Sequence, residues 1–498
     1  MFESTKEFIR FFGIKFLIFI SSIIHCLKGF IFGGGSSGLI GIPVIFILRD
    51  YGYLSAIRIQ ILKTLTLLPF ALKPLFGVLS DIVSIYGYNK SYYMISTLVI
   101  SSIASILITI LWTNILTPEL LTLLLFFIYI SIAVNDLLTE AKYSEKIKEN
   151  PEQGPAFISF VLSGIFIGEI LSIIFTGLLM NDKRILYLIS AIPLMISIIP
   201  IYLNWCEDKR LNSNIVYIDI PKIIDDWKLN LLSGLICLLS MIIGILGIIN
   251  IKIEYLFIFA IISSIIMIIG FIVCTTPIFA KIQCYLIIQN MFTVSIESAS
   301  FFFFTDSELS FPGGPHFSTF FYVTVIGITA SVFGLIGSIT YNLFMKKWNY
   351  RSIFWITNIL YMIVNLLNII IFKRLNLSIG ISDKWFILGA ESFQHIVGVW
   401  NYLPNVLLMS HLSYEGREST SFAILAGSGN LGYGLSQIQG AYLLYLLNIN
   451  PNGSITDYMS FENLWIASLI SALLPCIPLF LIQYLIPDKN QDDKIMED

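Results

Sequence analysis

Charge is scarce in this sequence. Of its 498 residues, 12% are charged and 56% are hydrophobic, and the formal net charge is only −3. A soluble domain of this length does not need so much apolar surface, and apolar runs long enough to span a bilayer recur along the whole chain. The near balance of charge gives no indication of a nucleic-acid partner. The composition therefore predicts a polytopic membrane protein.

Cysteine and histidine are also sparse, with 6 and 4 residues. The cysteines are scattered without metal-ligand spacing, so they are predicted to be small apolar core residues and to form neither a disulfide framework nor a metal site. The histidines lie in different segments without an HExxH motif, and no nucleophile elbow or phosphate loop is present. We therefore expect neither an enzyme nor a bound cofactor. A channel is disfavoured because no repeated pore motif occurs.

The N-terminal segment lacks the features of a cleavable signal peptide or a transit peptide. A polar head containing Glu3 and Glu7 leads directly into a long apolar run without a small-residue cleavage site. The first span is expected to act as the targeting signal. This favours the plasma membrane and leaves an organelle membrane open.

About fourteen apolar runs are long enough to be spans, and the absence of β-barrel alternation predicts that they are helices. They lie near 14–48, 56–79, 92–113, 119–140, 156–179, 185–205, 229–250, 255–275, 282–304, 317–345, 352–372, 383–410, 418–447 and 462–486. Most of the 29 Lys and Arg residues fall in loops that share a side with both termini. The positive-inside rule therefore places both termini in the cytosol and the sequons at Asn376 and Asn452 outside.

The first run is unusually long. From Ile14 to Leu48 a helix would measure about 50 Å, against a hydrocarbon core of about 30 Å. A cluster of glycine and serine at 33–38 lies in its middle. We expect a kink or a locally open helix at that point.

Without the two runs 229–250 and 255–275, the other twelve runs, including the first, divide into two sets of six. The polar segment 206–228 separates them, and the runs 229–250 and 255–275 form a predicted lipid-facing hairpin. A weak repeat, in which Gly337 to Tyr341 matches Gly77 to Asp81, is typical of secondary transporters. The predicted division is an N-terminal half 1–205, a cytosolic linker with the inserted hairpin 206–280, a C-terminal half 281–486 and a polar cytosolic tail 487–498.

A segment at the end of the second run predicts a latch at the membrane surface. Lys73 and Pro74 precede Gly77, which allows two helices to approach closely. Asp81 follows, where it can accept hydrogen bonds from the N-terminus of a neighbouring helix. An ordinary polar loop between two buried helices is the alternative.

Ionisable residues inside spans are costly and usually face a cavity or a partner. Lys28 is predicted to be the counter-ion of either a substrate carboxylate or an internal acid. Asp136 and Glu140 project from one helix face and form either a proton-accepting pair or a salt-bridge anchor, with Lys73 as one candidate partner. Lys63, near a helix end, is expected to snorkel to the interface.

Three further acids are candidates for proton coupling. Glu169 and Glu297 are single acids in apolar runs, where burial favours either a proton-coupling role or a protonated structural carboxyl. Glu391 and His395 lie four residues apart and form a predicted titratable pair. The same run carries Trp400 and Asn401 as candidate substrate contacts.

The ordered motifs resemble the folate–biopterin transporter family, a branch of the major facilitator superfamily, over residues 27 to 486 outside the hairpin. The first block is Pro69-x-x-x-Lys73-Pro74-x-x-Gly77-x-x-Ser80-Asp81, with Asp136 after it. Ser298-Ala299, Phe301 to Phe304 and Glu308 to Phe311 form the next block, followed by Asp383 to Phe386 and Pro404. Gly416-x-Glu418-x-Thr420 through Asn430 form the last. Lys28 and Glu140 depart from the family pattern.

The resemblance implies a major-facilitator-type bundle of six plus six helices, here with two extra helices. It implies a monomeric, alternating-access symporter of folates or pterins, coupled to protons and embedded in membrane lipid. Gly416, Glu418 and Asn430 would then contribute to gating. We expect Phe301 to Phe304 and Trp400 to offer faces to a pteridine ring, and Lys28 to bind its glutamate tail. The alternative is a facilitator that carries another small organic solute.

Overall fold

The fold is helical, as predicted. The structure, a computed structural model, describes residues 8–33, 38–112, 115–149, 154–208, 210, 216–345, 347–410, 412, 418–455 and 457–491. Within these ranges 11 helices are long and apolar enough to cross a membrane. One of them, Phe160–Tyr202, has 43 residues and covers two predicted runs. The all-α, multi-span architecture is confirmed, whereas the count of fourteen spans stays a prediction.

The chain divides into two compact units that interleave along the sequence. Unit 1 comprises Met1–Val44, Leu72–Cys237 and Gly416–Ile424, and unit 2 comprises Ile45–Ala71, Leu238–Glu415 and Leu425–Asp498. Three helices therefore pass from one unit to the other, namely Gly41–Asp50, Trp227–Ile248 and Glu418–Leu446. The predicted division into halves at 205 and 281 cuts the chain elsewhere and stays a prediction.

Unit 1 is built from helices and one two-stranded sheet. Its helical segments are Ile14–Ile20, Ser21–Phe32, Lys73–Ile82, Ser91–Leu111, Pro118–Glu149, Gly154–Leu179, Met180–Asp182, Lys183–Ile196, Ile198–Tyr202 and Ile220–Asp225. The strands Val83–Ile85 (β1) and Val216–Ile218 (β2) pair antiparallel.

Unit 2 is helical over its described residues. Its segments are Ala56–Leu67, Leu68–Leu72, Ile253–Cys274, Pro277–Phe292, Glu297–Thr305, Phe321–Val325, Ile326–Phe344, Tyr350–Phe372, Leu375–Ser378, Asp383–Ser410, Asp457–Ser460, Leu464–Leu473, Leu474–Leu481 and Ile482–Leu485. Leu72, the last residue of the segment Leu68–Leu72, belongs to unit 1.

The first predicted run is broken, as expected from its length. It begins as the α-helix Ile14–Ile20 and continues as a π-helical segment, Ser21–Phe32, which ends at Gly33 with φ of 70°. A left-handed backbone is accessible to glycine at little cost. The helix Gly41–Asp50 follows the break, and Gly34 to Ser37 lie outside the described residues.

Glycines bring the π-helical segment close to the helix Gly154–Leu179. A Cβ atom on Gly168 would lie 2.5 Å from the backbone oxygen of His25, and one on Gly164 would overlap the His25 ring. Only a residue without a side chain allows backbones this near to each other. This close packing fixes the segment that carries Lys28.

Each unit has a similar backbone pairing next to the segment that the sequence repeat relates to the other unit. In unit 1, β2 follows the helix Ile198–Tyr202 and pairs with β1, just after the helix Lys73–Ile82. In unit 2, Asn490 pairs with Asn349, and Gln491 contacts the Tyr341 hydroxyl. We count the predicted spans separately within each predicted half. In both halves, the chain that follows the sixth span pairs with the loop that follows the second span. This shared feature supports the predicted repeat.

The predicted hairpin faces outward on one side and is docked on the other. Large apolar side chains on both of its helices are exposed, as expected for a lipid-facing surface. Near its turn, Arg58 donates to the backbone oxygens of Gly247 at 2.6 Å and Ile248 at 3.2 Å. The ring of Phe257 stacks on Tyr442 at 4.1 Å. These contacts dock the part of the hairpin that belongs to unit 2, and its role as a lipid-facing surface stays a prediction.

Candidate functional site

Four charged side chains meet inside unit 1, and we call them the four-charge cluster. The Lys28 ammonium lies 2.7 Å from Asp136 Oδ1 and 3.3 Å from Glu140 Oε1. The second oxygen of Asp136 accepts from Lys73 Nζ at 2.7 Å. Two cations therefore balance two carboxylates, and the cluster has no net formal charge.

Local structure explains why these side chains converge. Asp136 and Glu140 are one turn apart on the helix Pro118–Glu149, so they share a face. Lys73 opens the helix Lys73–Ile82 and is buried together with Pro74 and Gly77. Lys28 projects from the π-helical segment, a form of helix that often marks functional sites. Buried charges need such pairing, because an isolated one would be strongly destabilising.

The contacts select between the interpretations left open by the sequence. Lys28 lies against internal acids, and Asp136 is anchored by Lys73. This arrangement favours the internal counter-ion for Lys28 and the salt-bridge anchor for Asp136. Glu169 is half-buried in the helix Gly154–Leu179, and its role stays a prediction.

The predicted latch has the expected kind of partner. Asp81 Oδ2 accepts a hydrogen bond of 2.8 Å from the Thr420 hydroxyl, in the first turn of the helix Glu418–Leu446. Lys222 Nζ donates to the Asp81 backbone oxygen at 3.4 Å. Further along the same helix, Asn430 donates to the backbone oxygen of Phe70 at 3.3 Å. Gly416 and the Glu418 side chain lie outside the described residues.

A second set of ionisable side chains lies in unit 2. Lys63 forms an ion pair with Glu297, and Glu391 Oε2 lies 3.3 Å from His395 Nε2. Three tyrosines lie within electrostatic range of these acids: Tyr322 of both, Tyr433 of Glu297, and Tyr361 of Glu391. We call these seven residues the acid–tyrosine cluster.

Two expectations about this cluster were wrong. Glu297 is not enclosed by apolar side chains, because its side chain is 45% exposed and pairs with Lys63. Lys63 does not extend alone to the interface, because only 16% of its side chain is exposed. In the sequence, Lys63 and Glu297 each interrupt an apolar run. A charge in such a run needs a partner, but the sequence does not identify which residue the partner is.

The expected aromatic surface is also placed differently. Phe301 to Phe304 are all buried, and their rings pack on other aromatic rings, such as Phe46 on Phe301 at 4.8 Å. Trp400 donates to Gly337 O and Thr340 Oγ1, each at 3.0 Å, on the neighbouring helix Ile326–Phe344. These rings are used for helix packing, so tyrosines of the acid–tyrosine cluster are the better candidates for a ligand surface. Sequence reasoning missed them because tyrosine is frequent in this chain.

Asn401 belongs to a buried amide network. Its side-chain oxygen accepts from Gln289 Nε2 at 3.3 Å, and Gln289 also donates to Asn358 at 3.0 Å. The Asn401 amide nitrogen is buried without a hydrogen-bond partner. Such a donor is able to bind a polar ligand group, so Asn401 stays a candidate substrate contact. Over the described residues, no group of three His, Cys, Asp or Glu side chains is placed to hold a metal ion.

Comparison with solved structures identifies the fold. A POT family transporter in complex with a thioalcohol-conjugated peptide matches with a TM-score of 0.65 and 11% identity, over 96% of this chain and 97% of that one. The nucleoside transporter NupG matches with a TM-score of 0.57 and 13% identity, over 96% and 100%. At these identities the likeness concerns the fold alone, which is a helix bundle of the major facilitator type. This part of the prediction is confirmed.

Comparison of sequences identifies the family. "Probable folate-biopterin transporter 2" of Arabidopsis thaliana is 24% identical over 96% of this chain and 86% of that protein. "Folate-biopterin transporter" of Synechocystis sp. is 26% identical over 89% and 78%, and "Folate transporter 2" of Plasmodium falciparum is 22% identical over 93% and 87%. The model of the BT1 family matches residues 34–498. The resemblance seen in the sequence is confirmed, and the chain belongs to the BT1 family as a multi-pass membrane transporter and not an enzyme.

Proposed function

We propose that this protein carries folates or pterins across a membrane by alternating access, as a proton symporter. The observation that carries the proposal is the family match over residues 34–498, together with relatives whose names specify folate or biopterin. The distribution of Lys and Arg supports a cytosolic position for both termini. We further propose a monomer, surrounded by lipid, in the plasma membrane.

The acid–tyrosine cluster supplies what a folate needs. Its tyrosine rings offer aromatic faces of the kind that stack on a flat pteridine. Lys63 offers an ammonium group for a glutamate carboxylate, and a charge-assisted hydrogen bond of this kind is among the strong ones. Because Lys63 already pairs with Glu297, the substrate carboxylate would compete with an internal one. Protonation of Glu297 would release Lys63 for the substrate.

This competition gives a simple route to proton coupling. When Glu297 is ionised, the Lys63–Glu297 pair is closed, and a second carboxylate is repelled by Glu297. When Glu297 takes a proton, Lys63 gains affinity for the substrate tail. Glu391, which lies near Tyr322 and Tyr361 and pairs with His395, would offer a second place for a proton. Proton and folate anion would therefore bind together.

A second candidate function is carriage of another organic solute on the same fold. The sequence leaves it open at Lys28 and Glu140, the two departures from the family pattern, which contact each other at 3.3 Å. Their pairing keeps the four-charge cluster neutral, so the departures compensate each other. A changed substrate would then depend on differences elsewhere in the carrier.

Uptake of radiolabelled folic acid in folate-auxotrophic cells tests the proposal. We expect saturable uptake that rises at acidic external pH and falls when an unlabelled pterin competes. p-Aminobenzoate, which has neither the pteridine nor the glutamate tail, serves as the control competitor. No uptake from protein shown at the cell surface would contradict folate carriage and favour another solute.

A further inference from the structure

The buried amide network of unit 2 leaves three polar side-chain atoms unbonded. They are Gln289 Oε1, Asn401 Nδ2 and Asn405 Oδ1, each enclosed and without a hydrogen-bond partner among the residues that the structure describes. Gln289 is only 3% exposed, so water does not surround its amide. Unbonded polar atoms in a protein interior are costly, and three of them in one network call for a ligand or another explanation. We call these three residues the amide triad.

Hydrogen bonds to a fixed backbone oxygen determine which way the amides point. Asn358 donates to the backbone oxygen of Phe354 at 2.7 Å, within its own helix, so its side-chain oxygen faces the network. Gln289 Nε2 donates to that oxygen at 3.0 Å and to Asn401 Oδ1 at 3.3 Å. If the Gln289 amide were turned over, its oxygen would lie against two other oxygens. Gln289 Oε1 and Asn401 Nδ2 are therefore the atoms that stay unbonded.

Asn405 adds a second acceptor one helical turn after Asn401. Its Nδ2 donates to the backbone oxygen of Asn401 at 3.1 Å, so Oδ1 is the atom that stays unbonded. The triad thus offers one donor, from Asn401, and two acceptors, from Gln289 and Asn405. A ligand that satisfies all three must present one acceptor and two donors.

The pteridine ring of a pterin or a folate has an edge of this kind. Its ring carbonyl is an acceptor, and the ring N–H and the amino group that follow it around the ring are donors. The carbonyl would accept from Asn401, while the two donors would bond to Gln289 and Asn405. A glutamate tail and p-aminobenzoate have no such edge, so the triad fits the ring alone.

The triad lies near a tyrosine that is proposed to stack on this ring. Asn358, which fixes the direction of the Gln289 amide, is three residues from Tyr361 on one helix, so their side chains are neighbours on its surface. Asn401 and Asn405 are partly exposed as residues. Rotation about their terminal torsions, which are soft, would bring their amide groups to a ligand. Edge and face contacts use different parts of the ring and do not compete.

We propose that Gln289, Asn401 and Asn405 are specificity-determining residues that bind the polar edge of the pteridine ring. A site that hydrogen-bonds polar groups of its substrate discriminates against analogues that lack them, because its own polar groups then stay unpaired. The inference rests on the proposed carriage of folates and pterins. It assigns the ring to the amide triad, whereas the glutamate tail is assigned to Lys63.

Two ligand fragments separate ring binding from tail binding. Inhibition of folic acid uptake is measured with a pterin, which has only the ring, and with p-aminobenzoylglutamate, which lacks it. In Asn401→Leu the inhibition constant of the pterin is expected to rise by roughly tenfold or more, and that of p-aminobenzoylglutamate to stay the same. Asn342→Leu, the same change at an exposed position of unit 2, is the matched control. Equal rises for both fragments, or no rise for the pterin, would overturn the proposal.

Lumazine tests the triad in the unaltered protein, so the result does not depend on whether a variant folds. In lumazine an oxygen replaces the amino group of pterin, which changes a donor into an acceptor and places it against an acceptor of the triad. We expect lumazine to inhibit folic acid uptake roughly tenfold less strongly than pterin. Equal inhibition by the two compounds would contradict the assignment of the ring edge.

A binding measurement separates this inference from the proposed transport. A pterin is expected to raise the midpoint of thermal unfolding of the purified protein, because it binds the folded state, and to raise it less in Asn401→Leu. Stabilisation by the pterin without folic acid uptake would keep the ring site and reject carriage. Folic acid uptake that pterin and lumazine inhibit equally would keep carriage and reject the ring site.

Discussion

Lys28 and Lys63 each lie against a carboxylate that is distant in the sequence. The cost of an unpaired charge at membrane depth predicted a partner for Lys28, whereas Lys63, near a helix end, was expected to reach the interface. It does not predict which, because each contact joins two helices whose relative rotation and height are set by packing. For this reason the partner of Lys28 was left open between two interpretations, and Lys63 was assigned to the wrong surroundings. The functional importance of Lys28 stays a prediction.

Replacing Lys28 by glutamine tests the four-charge cluster. Lys28→Gln leaves Asp136 and Glu140 with Lys73 alone, so one carboxylate loses its counter-ion. Removal of one partner from a buried pair is strongly destabilising. We expect folate uptake, normalised to the amount of protein at the cell surface, to fall by roughly tenfold, equivalent to about 1.4 kcal/mol.

The double variant Lys28→Gln/Glu140→Gln provides the control. It returns the cluster to one cation and one anion, Lys73 and Asp136, so part of the uptake is expected to return. Unchanged transport in the single variant would remove Lys28 from the functional residues. A double variant as inactive as the single one would show that charge balance is not the cause.

Replacing Lys63 by glutamine tests the proposed tail contact. Lys63→Gln removes the ammonium that would bind the glutamate carboxylate, so the KM for folic acid is expected to rise by roughly tenfold or more. The inhibition constant of a pterin without a tail should not change, because it does not use this contact. Arg184→Gln, which breaks the exposed pair with Asp182, is the matched control. Equal effects on both ligands would contradict the assignment.

At the scale of helices, glycine positions determine which backbones touch. The sequence predicted an interruption at 33–38 from length and composition, and the helix does end at Phe32. The π-helical form of Ser21–Phe32 was not predicted. It depends on the helix against which this segment packs, through Gly164 and Gly168, and no local propensity specifies that neighbour.

Replacing Gly168 by alanine tests this contact. The added Cβ would lie 2.5 Å from His25 O, a backbone atom that cannot move without its helix. Overpacking of this kind typically costs about 1 to 3 kcal/mol, so the midpoint of thermal unfolding in detergent is expected to fall. Gly398→Ala, on the helix Asp383–Ser410, meets nothing within 4 Å and should be tolerated. Equal melting temperatures for the two variants would disprove the close packing.

At the scale of the whole molecule, the orientation in the membrane is defined by the side on which each polar loop lies. Both termini in the cytosol would place Asn376 and Asn452 on the outer side. The two differ in structure, however. Asn376 is 0% exposed and donates to Asp383 Oδ1 at 2.8 Å, whereas Asn452 is half-exposed.

Glycosylation in a microsomal translation system tests the orientation. We expect modification at Asn452, because its loop is accessible. Less or none is expected at Asn376 once the chain is folded, because its side chain is buried and bonded. Asn452→Gln should abolish the shift in electrophoretic mobility, and Asn376→Gln should leave it. A protein that carries no glycan in glycosylating membranes would argue for the opposite orientation.

The sequence by itself determined the class of molecule. Apolar runs of sufficient length require helices in a bilayer, because every backbone polar group there must be bonded within the segment. The ordered motifs around Asp81, Asp136 and Asn430 also identified the family. These properties depend on local composition and spacing, which are readable from a single chain.

Only the tertiary structure decided which polar side chains meet. It placed Lys28 against Asp136, Lys63 against Glu297 and Arg49 against Asp306, and it used Phe301 to Phe304 for packing. A one-residue rotation of a helix changes the direction of a side chain by about 100°. The partner of a buried charge is therefore fixed by helix packing over long sequence separations, and local sequence patterns do not predict it.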